Sequence, residues 1–215
     1  MRSLFIEAKY TGKIDLDKIP VKKLPKNIGL AASVQFVDTL DEIKQYLEKN
    51  DVKVHLSKGK QKYPGQVLGC EQSAVLSVDK RSDAFLYIGD GRFHPLGIAL
   101  KTGKDVYSYN PLTKLFSVIK KEETEKIKKQ KKGSLIKFYS ADHVGLLVST
   151  KPGQENLKAA LKIKKKYPEK EFYIFLFDTL NPNDMENFPF VQAWVNTACP
   201  RISDEKKIVN YDELL

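Results

Sequence analysis

The sequence predicts an α/β fold of two similar domains, each a parallel sheet built from β-α-β units. Three observations predict it. Short apolar runs alternate with stretches of helical periodicity, the same strand-helix-strand order occurs twice, and a segment dense in Lys and Glu separates the two occurrences. The length of 215 residues suits two modest domains, because a domain commonly holds about 100 to 150 residues.

Residues 3–8 read as a strand, followed by a connector in which Pro20 and Pro25 exclude regular helix. Ile28-Gly-Leu-Ala-Ala-Ser33 is a compact apolar run of the kind a buried parallel strand needs, and Leu40, Ile43 and Leu47 fall at helical spacing between Asp38 and Asn50. Residues 51–56 alternate like a strand and close a first β-α-β unit. A helix from Ala74 to Val78, a strand from Asp83 to Ile88, a helix from Pro95 to Leu100 and a strand from Asp105 to Tyr109 continue the order. The charged stretch from Ile119 to Gln130 predicts an exposed connecting helix and marks the domain boundary. Beyond it Val144–Ser149, Glu155–Tyr167 and Glu171–Phe177 repeat the strand-helix-strand pattern, and Val191–Val195 matches the strand at Asp83. In open α/β sheets functional groups gather at the C-terminal ends of strands, which points to loops 89–94 and 196–203.

With 41% hydrophobic and 30% charged residues the chain has enough apolar material for packed cores, which excludes a disordered tail. Lys and Arg number 37 against 27 Asp and Glu, a formal charge of +10, and such a field attracts acidic partners. The excess is concentrated in Lys120, Lys121, Lys126, Lys128, Lys129, Lys131 and Lys132 and again in Lys162, Lys164, Lys165 and Lys166. Such runs on helices read as solvated faces, and nucleic-acid binding explains the charge and nothing else. No run approaches the roughly 18 apolar residues of a membrane span. Glu7 and Lys9 interrupt the short apolar stretch near the N-terminus, so the expected location is cytoplasmic, without a structural disulfide.

Two thiols remain to be explained. Cys70 ends Gly65-Gln-Val-Leu-Gly-Cys70, and Cys199 sits in Asn196-Thr-Ala-Cys-Pro-Arg201; neither belongs to a CxxC. Read alone, each is a small buried hydrophobe, although both fall beside Gly or Pro in expected loops. Of His55, His94 and His143, only His94 is placed in the glycine-containing loop where a base for a nucleophilic cysteine is of use. The run Gly89-Asp-Gly-Arg-Phe-His94 offers two glycines that can present N–H groups to an anion, and Arg92 can grip a carboxylate. It lacks the third glycine of a dinucleotide fingerprint, and a plain tight turn before a helix is its other reading.

Taken in order, Val34-Gln-Phe36, Tyr63-Pro-Gly-Gln-Val-Leu-Gly-Cys70, Ala84-Phe-Leu-Tyr-Ile-Gly-Asp-Gly-Arg-Phe-His-Pro-Leu-Gly-Ile98, Tyr109-Asn-Pro-Leu-Thr-Lys114 and Thr197-Ala-Cys-Pro-Arg-Ile202 closely resemble the archaeal diphthamide biosynthesis enzyme family, 2-(3-amino-3-carboxypropyl)histidine synthase. The match runs from about Ile28 to Ser203. The resemblance implies three similar α/β domains, each giving one cysteine to a 4Fe-4S cluster whose fourth iron is open to S-adenosylmethionine. It also implies a dimer and a non-classical radical transfer of a 3-amino-3-carboxypropyl group to a histidine of elongation factor 2. On this resemblance Cys70 and Cys199 are cluster ligands, and Gln35, Gly89, Asp90, Gly91, Arg92, His94 and Arg201 are the candidates for contacting S-adenosylmethionine.

By the same matching, residues 1–118 correspond to the family's middle domain, with Cys70, and residues 119–215 to its last, with Cys199. The first domain and its cysteine have no counterpart in the match. The expectation is a component that works with a first-domain polypeptide or second subunit supplying the third cysteine. A shortened chain and a non-catalytic structural subunit or interaction module of the same fold are the alternatives.

Overall fold

The structure is a computed structural model and describes residues 4, 6–204 and 208–215. The chain divides into two compact units, Arg2–Glu125 and Lys126–Leu215.

The first unit is built on a five-stranded sheet. Its elements are β1 (Asn27–Ala32), α1 (Leu40–Lys49), β2 (Lys53–His55), α2 (Ser73–Leu76), β3 (Ala84–Ile88), α3 (Phe93–Thr102), β4 (Val106–Tyr109) and β5 (Phe116–Ile119). The spatial order is β2-β1-β3-β4-β5, with β1 to β4 parallel. β1 is buried along nearly its whole length because it lies centrally with both faces covered, which is why its sequence reads as an unbroken apolar run. Its two faces feed two cores. Leu30 and Ala32 join Phe36, Leu40, Ile43 and Leu47 on one side, and Ala31 joins Val75, Phe85, Tyr87 and Ile98 on the other. Each fully buried Leu, Ile or Phe contributes about 1.5–3 kcal/mol. At Gly29 a Cβ would collide with the ring of Phe85, its register partner on β3, so the bare Cα is what lets the aromatic lie across the central strand.

Helix α1 carries the expected stripe, with Leu40, Ile43 and Leu47 inward and Asp41 and Glu42 in the first turn, where they favour the positive end of the helix dipole. A 3-10 turn, Val34–Thr39, leads into it. Helix α3 stops at Gly103, whose φ of 68° is the left-handed conformation that a helix C-terminus calls for.

The second unit has a four-stranded, wholly parallel sheet. After α4 (Lys121–Ser140), which begins in the first unit's residues, come β6 (His143–Ser149), α5 (Leu157–Lys166), β7 (Glu171–Phe177), β8 (Ala193–Asn196) and β9 (Val209–Asn210), ordered β7-β6-β8-β9. One face packs Val144, Leu146, Val148, Ala160 and Ile163 with Phe138 of α4. The other packs Leu147 and Trp194 with Phe175 and Phe188, because a 3-10 turn (Pro182–Asn187) rather than an α-helix links β7 to β8 and aromatic rings supply the cover. A Cβ at Gly145 would stand 2.5 Å from the indole of Trp194, its register partner on β8.

Several elements differ from the sequence reading. Residues 4 and 6–8 form no strand and expose Leu4 and Ile6, whereas residues 3 and 5 lie outside the described set. Strand β5, antiparallel to β4, closes the edge of the first sheet and was not expected, nor was β9. The connecting helix runs to Ser140 rather than to about Gln130. His94 stands in the first turn of α3 rather than in the preceding loop. The clustered lysines of α4 and α5 are exposed, as solvated faces should be.

Candidate functional site

In the first sheet β1 leads to β2 on one side and the chain then crosses back to β3 on the other, so the topological switch point lies between β1 and β3. The backbone brings the Cys70 segment to that point. Ala32 donates its N–H to the Gly65 carbonyl at 2.9 Å, and Val67 donates to the Ala32 carbonyl at 3.0 Å, so residues 65–67 prolong the pairing of β1 beyond its C-terminal end. The chain then closes a turn in which Leu68 and Glu71 exchange two backbone hydrogen bonds, at 2.8 and 3.2 Å. Cys70 sits on this turn, exposed and without a disulfide.

Helix α3 is the seat of the turn. Phe93 and Gly97, one helical turn apart on the same face, meet it. The Phe93 ring fills the place a Cβ at Gly69 would take, and the Gln72 amide nitrogen lies 2.5 Å from where a Cβ at Gly97 would stand. Burial works against the charge on Glu71, but hydrogen bonds from the Ser73 hydroxyl and N–H outweigh it and hold the carboxyl below its ordinary range.

The loop after β3 shares this edge. Gly91, at φ 71°, and Gly89, at φ 155°, both adopt conformations that side chains resist, and at Gly89 a Cβ would also lie 2.5 Å from the Tyr87 hydroxyl. The Asp90 carboxylate accepts from the Gly91 N–H at 2.8 Å and from the Asn110 amide at 2.7 Å. Arg92 pairs with Glu123 at 2.7 Å. Both partners are largely exposed, and such a pair is worth about 1 kcal/mol or less, so an incoming carboxylate can displace it. The His94 ring stacks on Tyr87 with centroids 5.6 Å apart, and burial pushes the Tyr87 hydroxyl up to about 12, which keeps it neutral. Gln35 lies just beyond β1; its carbonyl accepts from the Tyr10 N–H at 2.8 Å and its side chain is half-buried.

The second sheet has its switch point between β6 and β8, and Cys199 follows β8. Thr197 donates both its N–H and its hydroxyl to the Leu147 carbonyl, at 3.0 and 2.9 Å, holding the post-strand segment against β6. Asn196 is fully buried. Its amide group donates to the Cys199 carbonyl and to the Asn210 side chain, both at 2.9 Å, while its oxygen accepts from the Ala198 N–H at 2.9 Å. Cys199 itself is half-buried and without a disulfide. Arg201 is exposed in the 3-10 turn that follows.

Gln35, Cys70, Gly89, Asp90, Gly91, Arg92 and His94 thus all belong to the C-terminal edge of the first sheet, and Cys199 and Arg201 to that of the second. Sequence reasoning missed Tyr87, Asn110 and Asn196. Asn110 stood in a quoted motif and Asn196 directly before the Cys199 loop, but nothing local tells that their side chains tie one loop to another. Among the described residues no three His, Cys, Asp or Glu side chains gather to hold a metal ion. The donors present fit a thiolate-held iron-sulfur group, because each unit offers one unpaired, solvent-reachable thiol on a rigidly tied loop.

Residues 3–211 match the family model described as putative diphthamide synthesis protein. The chain is 36% identical over 186 residues to the 2-(3-amino-3-carboxypropyl)histidine synthase of Pyrococcus horikoshii, covering 85% of this chain and 52% of that protein. It is 34% identical over 182 residues to the synthase of the same name from Methanocaldococcus jannaschii, covering 76% and 50%. The crystal structure of Dph2 from Pyrococcus horikoshii with a 4Fe-4S cluster superposes with a TM-score of 0.75 at 34% identity, covering 90% of this chain and 57% of that one. The chain spans about half the length of the curated relatives it matches. The order of its motifs, its two α/β sheets and these matches agree: the chain belongs to the diphthamide synthesis protein family.

Proposed function

We propose that this chain is a component of an S-adenosylmethionine-dependent iron-sulfur transferase. The enzyme attaches a 3-amino-3-carboxypropyl group to a histidine of elongation factor 2, the first step of diphthamide biosynthesis. One observation carries the reading: each unit presents a single unpaired cysteine at the C-terminal edge of its sheet, beside the switch point, in a family with a solved member that holds a 4Fe-4S cluster. Cys70 and Cys199 serve as thiolate ligands of such a cluster, and a partner polypeptide supplies the third cysteine.

Bound there and reduced by an external one-electron donor, the cluster would supply the electron for cleaving the sulfonium carbon–sulfur bond, with methylthioadenosine as the leaving group. The chain's own residues bind and orient. The Arg92 guanidinium receives the carboxylate of the methionine moiety, exchanging Glu123 for it. Asp90, steadied by Asn110, takes the amino group. Gln35, His94 on its Tyr87 platform, and Arg201 add polar contacts.

The test is anaerobic transfer of carbon label from the aminocarboxypropyl part of S-adenosylmethionine to elongation factor 2, by the chain with a polypeptide that supplies the third cysteine. Label is expected on a histidine and lost in a folded Cys199→Ala variant. Full transfer by that variant would instead make the chain an interaction module.

A further inference from the structure

Strand β7 is an outer strand of the second sheet, with β6 on one side and an open edge on the other. Glu171 donates its N–H to the Asp142 carbonyl, and the Phe177 carbonyl accepts from the Thr150 N–H, so residues 171, 173, 175 and 177 turn their backbone groups toward β6. Phe172, Ile174 and Leu176 therefore aim theirs outward, and among the described residues nothing pairs with them. The same three side chains share one face of the sheet. Phe172 is buried there in the cluster that α5 covers, whereas Ile174 is 38% and Leu176 67% exposed. Sheet edges are ordinarily blunted by shortness, Pro, Lys or a bulge. The other edges are short, with three residues in β2, four in β5 and two in β9. β7 has seven residues, none of them Pro or Lys, and its register with β6 is unbroken.

We infer that the open edge of β7 is an interface for a second copy of this chain, which adds its own β7 antiparallel across a two-fold axis at Ile174. The strand is complementary to itself in that register. Ile174 meets Ile174 and Phe172 meets Leu176, so the outward N–H and C=O groups find partners and the exposed apolar side chains cover one another. One residue beyond each end of the strand, Lys170 of one copy stands opposite Asp178 of the other. The Asp178 side chain is exposed, and the Lys170 ammonium, which donates to the Tyr139 and Ala141 carbonyls, keeps a third proton for it. Opposite charges thus close the ladder at both ends. Moving the axis by one residue either way sets Asp178 against Phe172 or Lys170 against Leu176, so the charges select the register. None of these residues belongs to the cysteine loops, and the interface stands or falls apart from the cluster reading.

Sedimentation equilibrium of the full chain at micromolar concentration is the test. The wild type is expected to dimerise. Leu176→Lys sets a charge opposite Phe172 of the second copy and is expected to raise the dimer dissociation constant about tenfold or more, with an unchanged circular dichroism spectrum because Leu176 is exposed. Ile174→Cys reads the register itself, since directly opposed residues of a hydrogen-bonded pair have Cα atoms about 5.5 Å apart, within disulfide reach. Mild oxidation is expected to join the two introduced thiols, a link located by peptide mass spectrometry, and to do so faster than in Leu176→Cys. A wild type that stays monomeric overturns the inference. So does a Leu176→Lys variant that dimerises as tightly as the wild type, or an Ile174→Cys variant that cross-links no faster than Leu176→Cys. If Leu176→Lys instead weakened a complex of the monomer with elongation factor 2 or with the polypeptide supplying the third cysteine, the second copy would be overturned as the occupant of this edge.

Discussion

Cys70 rides on a turn closed by two backbone bonds between Leu68 and Glu71 and wedged onto α3 by Phe93. Cys199 follows a strand whose last residue, the buried Asn196, reaches forward to hold the Cys199 carbonyl. The two units share a plan down to a glycine on the central strand facing an aromatic register partner, Gly29 with Phe85 and Gly145 with Trp194. Their cysteines nevertheless come from different connections. Cys70 belongs to the crossing between β2 and β3, Cys199 to the segment after β8. The repeated sheet thus has a cysteine beside the switch point in each unit, and a different loop delivers it. One loop is held by shape and the other by a side-chain network.

That difference predicts different weak points. The largest single effect belongs to Asn196→Ala, which removes the acceptor of the Ala198 N–H, one partner of the Asn210 side chain and one of the two donors to the Cys199 carbonyl. About 3 kcal/mol of stability should be lost in denaturant unfolding, and amide exchange should rise in the 197–202 segment and not around Cys70. Gly69→Ala is the matching change in the first unit. The new methyl overlaps the Phe93 ring, so about 2 kcal/mol should be lost by overpacking, with exchange rising around Cys70 and not around Cys199. If either variant loosened both loops equally, the separation drawn here would be wrong.

A smaller effect distinguishes the first unit by pH. Burial opposes the charge of Asp105, but its contact with Lys120 at 2.7 Å and the Lys121 N–H at 3.0 Å outweigh that and lower its carboxyl below the usual range. A depressed carboxyl stabilises the fold above its unfolded pKa, and the contribution disappears as pH falls through the folded value. Asp105→Ala should therefore cost about 1 kcal/mol at neutral pH, as loss of a helix-end acceptor does. Melting curves of variant and wild type should converge below the normal carboxylate range.

Much of this organisation was legible in the chain. Central strands such as β1 and β6 are continuous apolar runs because both their faces are buried, and α1 shows its stripe because one face is not. Strand β5 escaped notice because Phe116-Ser-Val-Ile lies at an edge and pairs antiparallel after a turn set by Asn110, and β9 because two residues carry no period. At the N-terminus, Leu4 and Ile6 alternate like a strand but stay exposed; alternation without a partner makes no sheet. The motif resemblance singled out Cys70 and Cys199. The seats of these cysteines could not be read from the sequence, since they depend on pairings across long separations, Ala32 with Val67 and Thr197 with Leu147. Gln72 and Gly97 carry the same lesson, for only the folded turn brings them together.

The ligand role of the two cysteines is tested most directly by anaerobic reconstitution of the chain with iron and sulfide, beside a polypeptide that supplies a third cysteine. Wild-type protein, Cys70→Ser, Cys199→Ser and the double variant would be compared by Mössbauer spectroscopy and by iron bound after chelator challenge. The account predicts a 4Fe-4S signature in the wild type, reduced iron retention in each single variant and none in the double. A double variant that held its cluster as the wild type does would contradict it.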